Sequence, residues 1–219
     1  DLVSLGYSPK GIKVEINRAL LEADRILLTG AIGFHYLAGY SGGWKIVVPG
    51  VASHETILAF HKLTLEGGAS VGLGRTQGNP FFEEIHSVVK LLNKPCYAVN
   101  TVLAPDGRLL GIFSGDVDKA FSEGCEFYRR IFERPIQEKA DLAVVSCGGF
   151  PKDINLIQAH KAIESGVRAI TPGGTLILLA ECSDGFGHPQ FLEWFAYESS
   201  NILYSHLKEN FHVYARTAW

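Results

Sequence analysis

The sequence predicts an α/β fold, with mostly parallel sheets carrying helices on both faces and the chain divided into two domains. Three observations carry that expectation. Short apolar runs alternate with amphipathic helical stretches along the chain. Glycine, of which there are 24, collects where the apolar runs end, as expected where backbone must approach a ligand at the carboxyl edge of a sheet. A charge-rich stretch, residues 129–139, contains Pro135 and separates two different textures of sequence.

The elements follow in order. Ile12, Ile16, Leu20 and Ala23 recur at helical spacing, and residues 25–30 then read as a buried strand ending in Gly30. Lys45-Ile46-Val47-Val48 reads as a second short strand stopped by Pro49-Gly50. Ser53 is a candidate N-cap for a helix running through Leu65 to Gly67-Gly68, and Asn79-Pro80 opens another. Residues 96–104 and 108–114 flank Pro105-Asp106-Gly107, a hairpin signal, and Asp116 caps a long helix. Beyond the charge-rich break, strands at 140–147 and 175–182 enclose a helix over 153–165. A helical stretch over 191–207 and a last strand at 211–215 complete the series. This is a Rossmann-like alternation, with an incomplete first domain over 1–132 and most of a second over 133–219.

Composition narrows the class further. The 219 residues are 47% hydrophobic, ample for a substantial core. No run approaches 18 apolar residues, so no membrane-spanning helix is expected, and Asp1-Leu2-Val3-Ser4 does not begin a secretory signal. A net charge of −3 with no basic block argues against nucleic-acid binding. Cys96, Cys125, Cys147 and Cys182 form no C-x-x-C pair and read as buried thiols in a reducing cytoplasm. Methionine is absent throughout, position 1 included, which implies a processed or trimmed chain.

The densest chemistry lies in His35-Tyr36-Leu37-Ala38-Gly39-Tyr40-Ser41-Gly42-Gly43-Trp44-Lys45. A glycine-rich turn offering a hydroxyl, backbone N–H groups and a lysine suits an anion such as phosphate, and a turn joining two strands accounts for the same residues. It is not a Walker A loop, because Lys45 leads into an apolar run rather than opening a helix with Ser or Thr. His54-Glu55 starts like a zincin motif, but Leu58 stands where the second histidine must fall. His61 lies on an apolar helix face, a position suited to a hydrogen-bonded core histidine as well as to a ligand. Gly72-Leu73-Gly74 and Gly78 approximate a dinucleotide fingerprint without the preceding strand. Gln158 and Lys161 share a helix face, which could hold a carboxylate or simply meet solvent.

Together these segments closely resemble the nickel-pincer lactate racemase family. The resemblance rests on His35 to Lys45 with Pro49-Gly50, on Ala52-Ser53, Glu55-Thr56-Ile57 and His61, and on Gly111, Phe113 and Gly115-Asp116. It continues through Gly148-Gly149-Phe150-Pro151, Asp153-Ile154-Asn155, Gln158, Lys161, and Glu181-Cys182 with Asp184-Gly185 and Gly187. Members racemise or epimerise 2-hydroxy acids with a nicotinate-derived nucleotide that grips nickel. The resemblance implies that Lys45 attaches this nickel-pincer nucleotide, within a cofactor seat formed by Tyr40, Ser41, Gly42 and Gly43. It implies that His61 is the protein ligand to nickel and that His35 is one of two acid–base histidines. Gln158 and Lys161 match substrate-binding positions, while Ile157 replaces the tyrosine that commonly precedes the glutamine.

The chemistry is coherent with those roles. The α-hydrogen of a hydroxy acid is too weakly acidic for an unaided histidine, but it can leave as hydride if a base takes the hydroxyl proton. The resulting keto acid is planar and can be reduced on either face. The family places its other histidine and a substrate-binding arginine upstream of residues 25–30, where this chain has no histidine. A chain truncated on its N-terminal side, inactive alone and needing the rest of the protein as partner, is therefore expected. So is an early end, because residues 211–219 stop just after the last expected strand. The alternative expectation is a cofactor- or phosphate-binding module of the same fold without racemase activity.

Overall fold

The structure is a computed structural model that describes residues 1–212, and the chain divides into two compact units, Asp1–Glu133 and Arg134–Trp219. The first opens with an antiparallel hairpin of β1 (Leu2–Tyr7) and β2 (Lys13–Asn17), with Gly11 in the left-handed region between them. A helix is what the spacing of Ile12, Ile16 and Leu20 predicts; only α1 (Ala19–Glu22) forms. The reason is arithmetic: a four-residue spacing satisfies the two-residue period of a strand as well as the helical one. Val14 and Ile16, both 0% exposed, alternate inward from exposed Lys13 and half-buried Glu15.

Next come β3 (Ile26–Ala31), then the two-residue strands β4 (Phe34–His35) and β5 (Gly39–Tyr40), paired antiparallel. The expected strand at 45–48 is instead a 3-10 turn, Gly43–Ile46, followed by Val47 and Val48. Gly42 and Gly43, at φ +86 and +56, fold the chain back before a ladder can form, and Val47 and Val48 are buried by packing instead. Helices α2 (His54–Lys62) and α3 (Thr64–Gly67) follow the Ser53 cap, whose Oγ accepts from the Thr56 N–H. Asn79 caps α4 (Pro80–Val88). A hairpin of β6 (Cys96–Leu103) and β7 (Leu109–Asp116) leads to α5 (Val117–Phe132), capped by Asp116 as the sequence predicts.

The main sheet has the order β3-β6-β7, with β3 and β6 parallel and β7 antiparallel to β6. Its inner face meets one core around Phe60, Phe81, Ile85 and Val88 and a second around Ile32, Tyr40, Val102, Phe121 and Cys125. In the second unit β8 (Ala140–Ser146) and β9 (Ile170–Leu179) run parallel, joined by α6 (Leu156–Gly166). A 3-10 stretch, Pro189–Ala196, and α7 (Ser200–Glu209) follow. The last strand expected at 211–215 falls mainly outside the described residues; Phe211 and His212 are in no strand.

The α/β class stands, but the pairing is more mixed than predicted, since hairpins contribute antiparallel ladders beside the two parallel ones. Helices on both faces are also expected, whereas among the described residues they cover one. On the outer face of the main sheet Leu27 is 62%, Tyr97 48% and Ile112 58% exposed. Leu142, Val144, Ile177 and Leu179 are likewise exposed on the second sheet. In the first unit the β6–β7 return is a tight hairpin, which carries no helix to the other side. No helix among the described residues is long and apolar enough to cross a membrane.

Asn79, 0% exposed, welds the first unit locally. Its Oδ1 accepts from the Phe81 and Phe82 N–H groups, and its Nδ2 donates to the carbonyls of Leu37 (2.7 Å) and Arg75 (2.9 Å). Asn79→Ala loses the helix cap and strands two carbonyls, so urea denaturation should show a loss of roughly 1–3 kcal/mol.

Candidate functional site

The site is built around the turn that carries Lys45. The Gly42–Gly43 backbone lies close on the sheet: a Cβ on Gly42 would stand 3.0 Å from Asn100 Oδ1, and one on Gly43 2.6 Å from the Phe121 ring. Only glycine permits both that approach and the left-handed φ. The Gly43 N–H donates to Asn100 Oδ1 at 3.2 Å. On the other flank of Lys45, Ile46 packs over Gly30, and the Lys45 carbonyl accepts from the Gly50 N–H at 3.1 Å. Lys45 itself is half-buried.

Two neighbours expected to share the cofactor seat are held as follows. Tyr40 is 6% exposed, with its ring against Phe34 and Phe121, and burial raises its pKa. The Ser41 hydroxyl donates to the Ala31 carbonyl at 2.8 Å, so it locks the turn to the end of β3.

The histidines differ in state. His61 Nδ1 sits 2.7 Å from the Ile57 carbonyl, one turn back on α2. A carbonyl can only accept, so Nδ1 carries the proton and Nε2 keeps its lone pair. Burial lowers the pKa of His61, outweighing the Ile57 bond that favours the charged ring, and the nearby Lys45 charge lowers it further. The result is a neutral imidazole oriented by a backbone carbonyl, the usual condition of a histidine metal ligand. His35 is the reverse case: its Nδ1 accepts from the Leu37 and Ala38 N–H groups at 3.2 and 3.1 Å, which puts the neutral ring's proton on Nε2.

In the second unit Gln158 and Lys161 meet, with Lys161 Nζ donating to Gln158 Oε1 at 2.6 Å; partial desolvation lowers the Lys161 pKa. They stand near the N-terminus of α6, where Asn155 Oδ1 accepts from the Gln158 N–H. The loop after β9 is zipped to this helix start: the Cys182 N–H donates to the Asp153 carbonyl, the Asp184 N–H to that of Ile154, and the Leu156 N–H to that of Gly185. Ile157, the departure from the family pattern, is 6% exposed and belongs to the core side of α6.

Sequence reasoning missed three residues that shape the turn. Asn100 is one; its signal was a polar side chain on the inward register of β6, between Ala98 and Val102. Asp118 and His86 are the others. Asp118 Oδ1 accepts from the Trp44 indole N–H at 2.9 Å and lies 3.4 Å from His86 Nδ1. They border a cleft of about 440 Å³ together with Trp44, Lys90, Asn93 and Lys94, which holds none of the residues predicted from sequence. No local pattern announced Asp118 or His86.

The electrostatics give a direct expectation. His61 should titrate below the usual histidine value of about 6.5, read from its ring protons by NMR, and Lys45→Met should move that midpoint upward. The unfolded chain binds this proton first as pH falls, so His61 withdraws stability below about pH 6.5. A midpoint unmoved by Lys45→Met would contradict the coupling.

Comparison with known proteins places the geometry in context. The family model of the lactate racemase N-terminal domain matches residues 1–72, and that of the lactate racemase C-terminal domain matches residues 136–213. The lactate racemase of Thermoanaerobacterium thermosaccharolyticum is 35% identical over 192 residues, covering 87% of this chain and 44% of that protein. That of Lactiplantibacillus plantarum is 33% identical over 191 residues, with 87% and 45% covered. The structure of the lactate racemase apoprotein from T. thermosaccharolyticum superposes with a TM-score of 0.85 at 31% identity, covering 96% of this chain and 50% of that one. A Thermotoga maritima protein shares the fold at a TM-score of 0.71 and 21% identity, with 95% and 56% covered. The chain thus spans about half the length of the relatives it matches. With one lactate racemase domain matched in each of its two units, and this fold held over nearly its whole length, the chain belongs to the lactate racemase family.

Proposed function

We propose that this chain is part of a nickel-pincer-dependent racemase or epimerase of 2-hydroxy acids, with the cofactor carried on Lys45. The observation that carries the reading is the pairing of Lys45, presented from a close-packed glycine turn, with a neutral His61 whose Nε2 lone pair is left for a metal. The donor set fits the group. Among the described residues no cluster of three or more His, Cys, Asp or Glu side chains could hold a metal alone. His61 offers one oriented imidazole donor, a type suited to tetragonal nickel, close enough to Lys45 to feel its charge. Lys45 would hold the nucleotide covalently, from a turn that the Gly42–Gly43 backbone seats closely against the sheet.

When bound, the cofactor supplies an electrophilic centre that takes the α-hydrogen with its electron pair and returns it. The chain's residues handle the substrate around that event. His35 presents Nε2–H as a hydrogen-bond donor to the substrate's α-oxygen. Accepting the hydroxyl proton at Nε2 requires the other tautomer, in which the Leu37 and Ala38 amides lose their acceptor. That coupling makes the His35 loop part of the proton step. Lys161, oriented by Gln158, anchors the carboxylate through its ammonium group. A reducing cytoplasm fits the four free thiols.

The test is mass spectrometry of the Lys45 peptide from protein of full natural length, co-expressed with enzymes that build the cofactor. A nucleotide adduct on Lys45 with stoichiometric nickel is expected, together with loss of optical activity in a chiral 2-hydroxy acid. Lys45→Ala should reduce racemisation at least a thousandfold. An unmodified lysine without nickel would leave the phosphate-binding module as the better reading, and full activity in Lys45→Ala would remove Lys45 from the mechanism.

A further inference from the structure

We infer that Asn100 is the positioning residue of Lys45, setting from beneath the direction in which that side chain leaves the turn. The inference rests on Lys45 being the working residue of this site, and it concerns only how that residue is held.

The argument begins with register. On β6 the side chains of Ala98, Asn100 and Val102 share the inner face, and their exposures are 1%, 0% and 0%. Two of the three are apolar, as that position between the two core clusters demands; the third is an amide. Its Oδ1 accepts from the Gly43 N–H at 3.2 Å, a buried bond between residues 57 apart in sequence. That bond also fixes which way the amide points. An N–H needs an acceptor, so Oδ1 must face Gly43 and Nδ2 must face away. There Nδ2 is buried and has no hydrogen-bond partner. A buried amide with half its capacity unspent destabilises the fold, so the bond to Gly43 is kept at a cost.

What that bond governs is close at hand. Gly43 begins the 3-10 turn whose third residue is Lys45. Gly42 and Gly43 are both left-handed, where glycine has several backbone conformations within reach and imposes none of its own. The exit of the turn is held by local bonds from the Val47, Val48 and Gly50 N–H groups to the Trp44 and Lys45 carbonyls, so it is the entry that is specified from outside. Asn100 holds its first N–H, Asp118 holds the Trp44 indole, and Ile46 lies against Gly30. Of these anchors only Asn100 acts on the backbone at the left-handed pair itself. Releasing it frees the hinge while the side-chain contacts of Trp44 and Ile46 remain.

The experiment is competitive labelling of the full chain with a small amine-reactive acetylating reagent. The rate at Lys45 is read by mass spectrometry as a ratio to exposed Lys62 and Lys152 in the same molecules. Hydrogen exchange at the Gly43 amide is measured in parallel. Asn100→Leu should change the Lys45 ratio at least fivefold and raise Gly43 exchange at least a hundredfold. Asn100→Asp, which keeps an oxygen facing Gly43, should restore both to within twofold of the parent. Asn100→Ala serves in place of the leucine variant should the latter not fold. A purely structural amide would lower stability without moving the ratio, so an unchanged ratio in a folded variant overturns the inference. So does a parent Gly43 amide that exchanges as fast as an exposed one. Neither readout needs cofactor: a failed adduct test would leave this result standing, and a failed ratio would leave the adduct untouched.

Discussion

The first unit depends on one close approach, the seating of the Gly42–Gly43 backbone against the inner face of the main sheet. The turn that carries Lys45 is arranged by it. It forces the chain out of the extended path that Lys45 to Val48 would otherwise take, and it buries Val47 and Val48 against Phe60 and Ile85. It also brings Lys45 near enough to α2 for its charge to reach His61. Hydrophobic burial supplies the driving force, but burial is indifferent to direction; the hydrogen bonds from Gly43 to Asn100 and from Trp44 to Asp118 supply the direction.

The histidines illustrate how backbone hydrogen bonds select a ring tautomer. His61 and His35 are both hydrogen-bonded to backbone, yet one meets a carbonyl and the other two amides, so their protons lie on opposite ring nitrogens. In the second unit the same economy appears at α6. Asn155 caps the helix, and its amide also reaches Asp184 in the neighbouring loop, so one side chain sets both the helix start and the loop that flanks Gln158.

Much of this was legible in the sequence because it follows from local chemistry. Ser53, Asn79 and Asp116 were readable as caps since a side-chain oxygen before an apolar periodic run has few other uses. The β6–β7 hairpin was readable from Pro105-Asp106-Gly107. What escaped was decided by distant partners. Ile12, Ile16 and Leu20 carry a spacing common to helix and strand, and the choice fell to pairing with Leu2–Tyr7. Val47 and Val48 read as a strand because an apolar run says only that it is buried, and not by what. At the candidate site the residue types were visible while their hydrogen-bond roles were not. The bond from the Ser41 hydroxyl to the Ala31 carbonyl joins residues ten apart and has no signature in the local sequence. Asn100 and Asp118 act across 57 and 74 residues, a separation no local pattern spans.

The uncovered outer faces of the two sheets have a colloidal consequence. Leu27 and Tyr97 stand side by side on one sheet, with Ile112 farther along the same face, and Leu142, Val144, Ile177 and Leu179 form a strip on the other. Such strips attract any apolar surface available, including their own copies, and a net charge of −3 offers little repulsion to oppose it. Handled by itself at high concentration, this chain therefore behaves as a sticky particle. Salts that strengthen apolar association will drive it out of solution sooner than its mildly acidic composition implies.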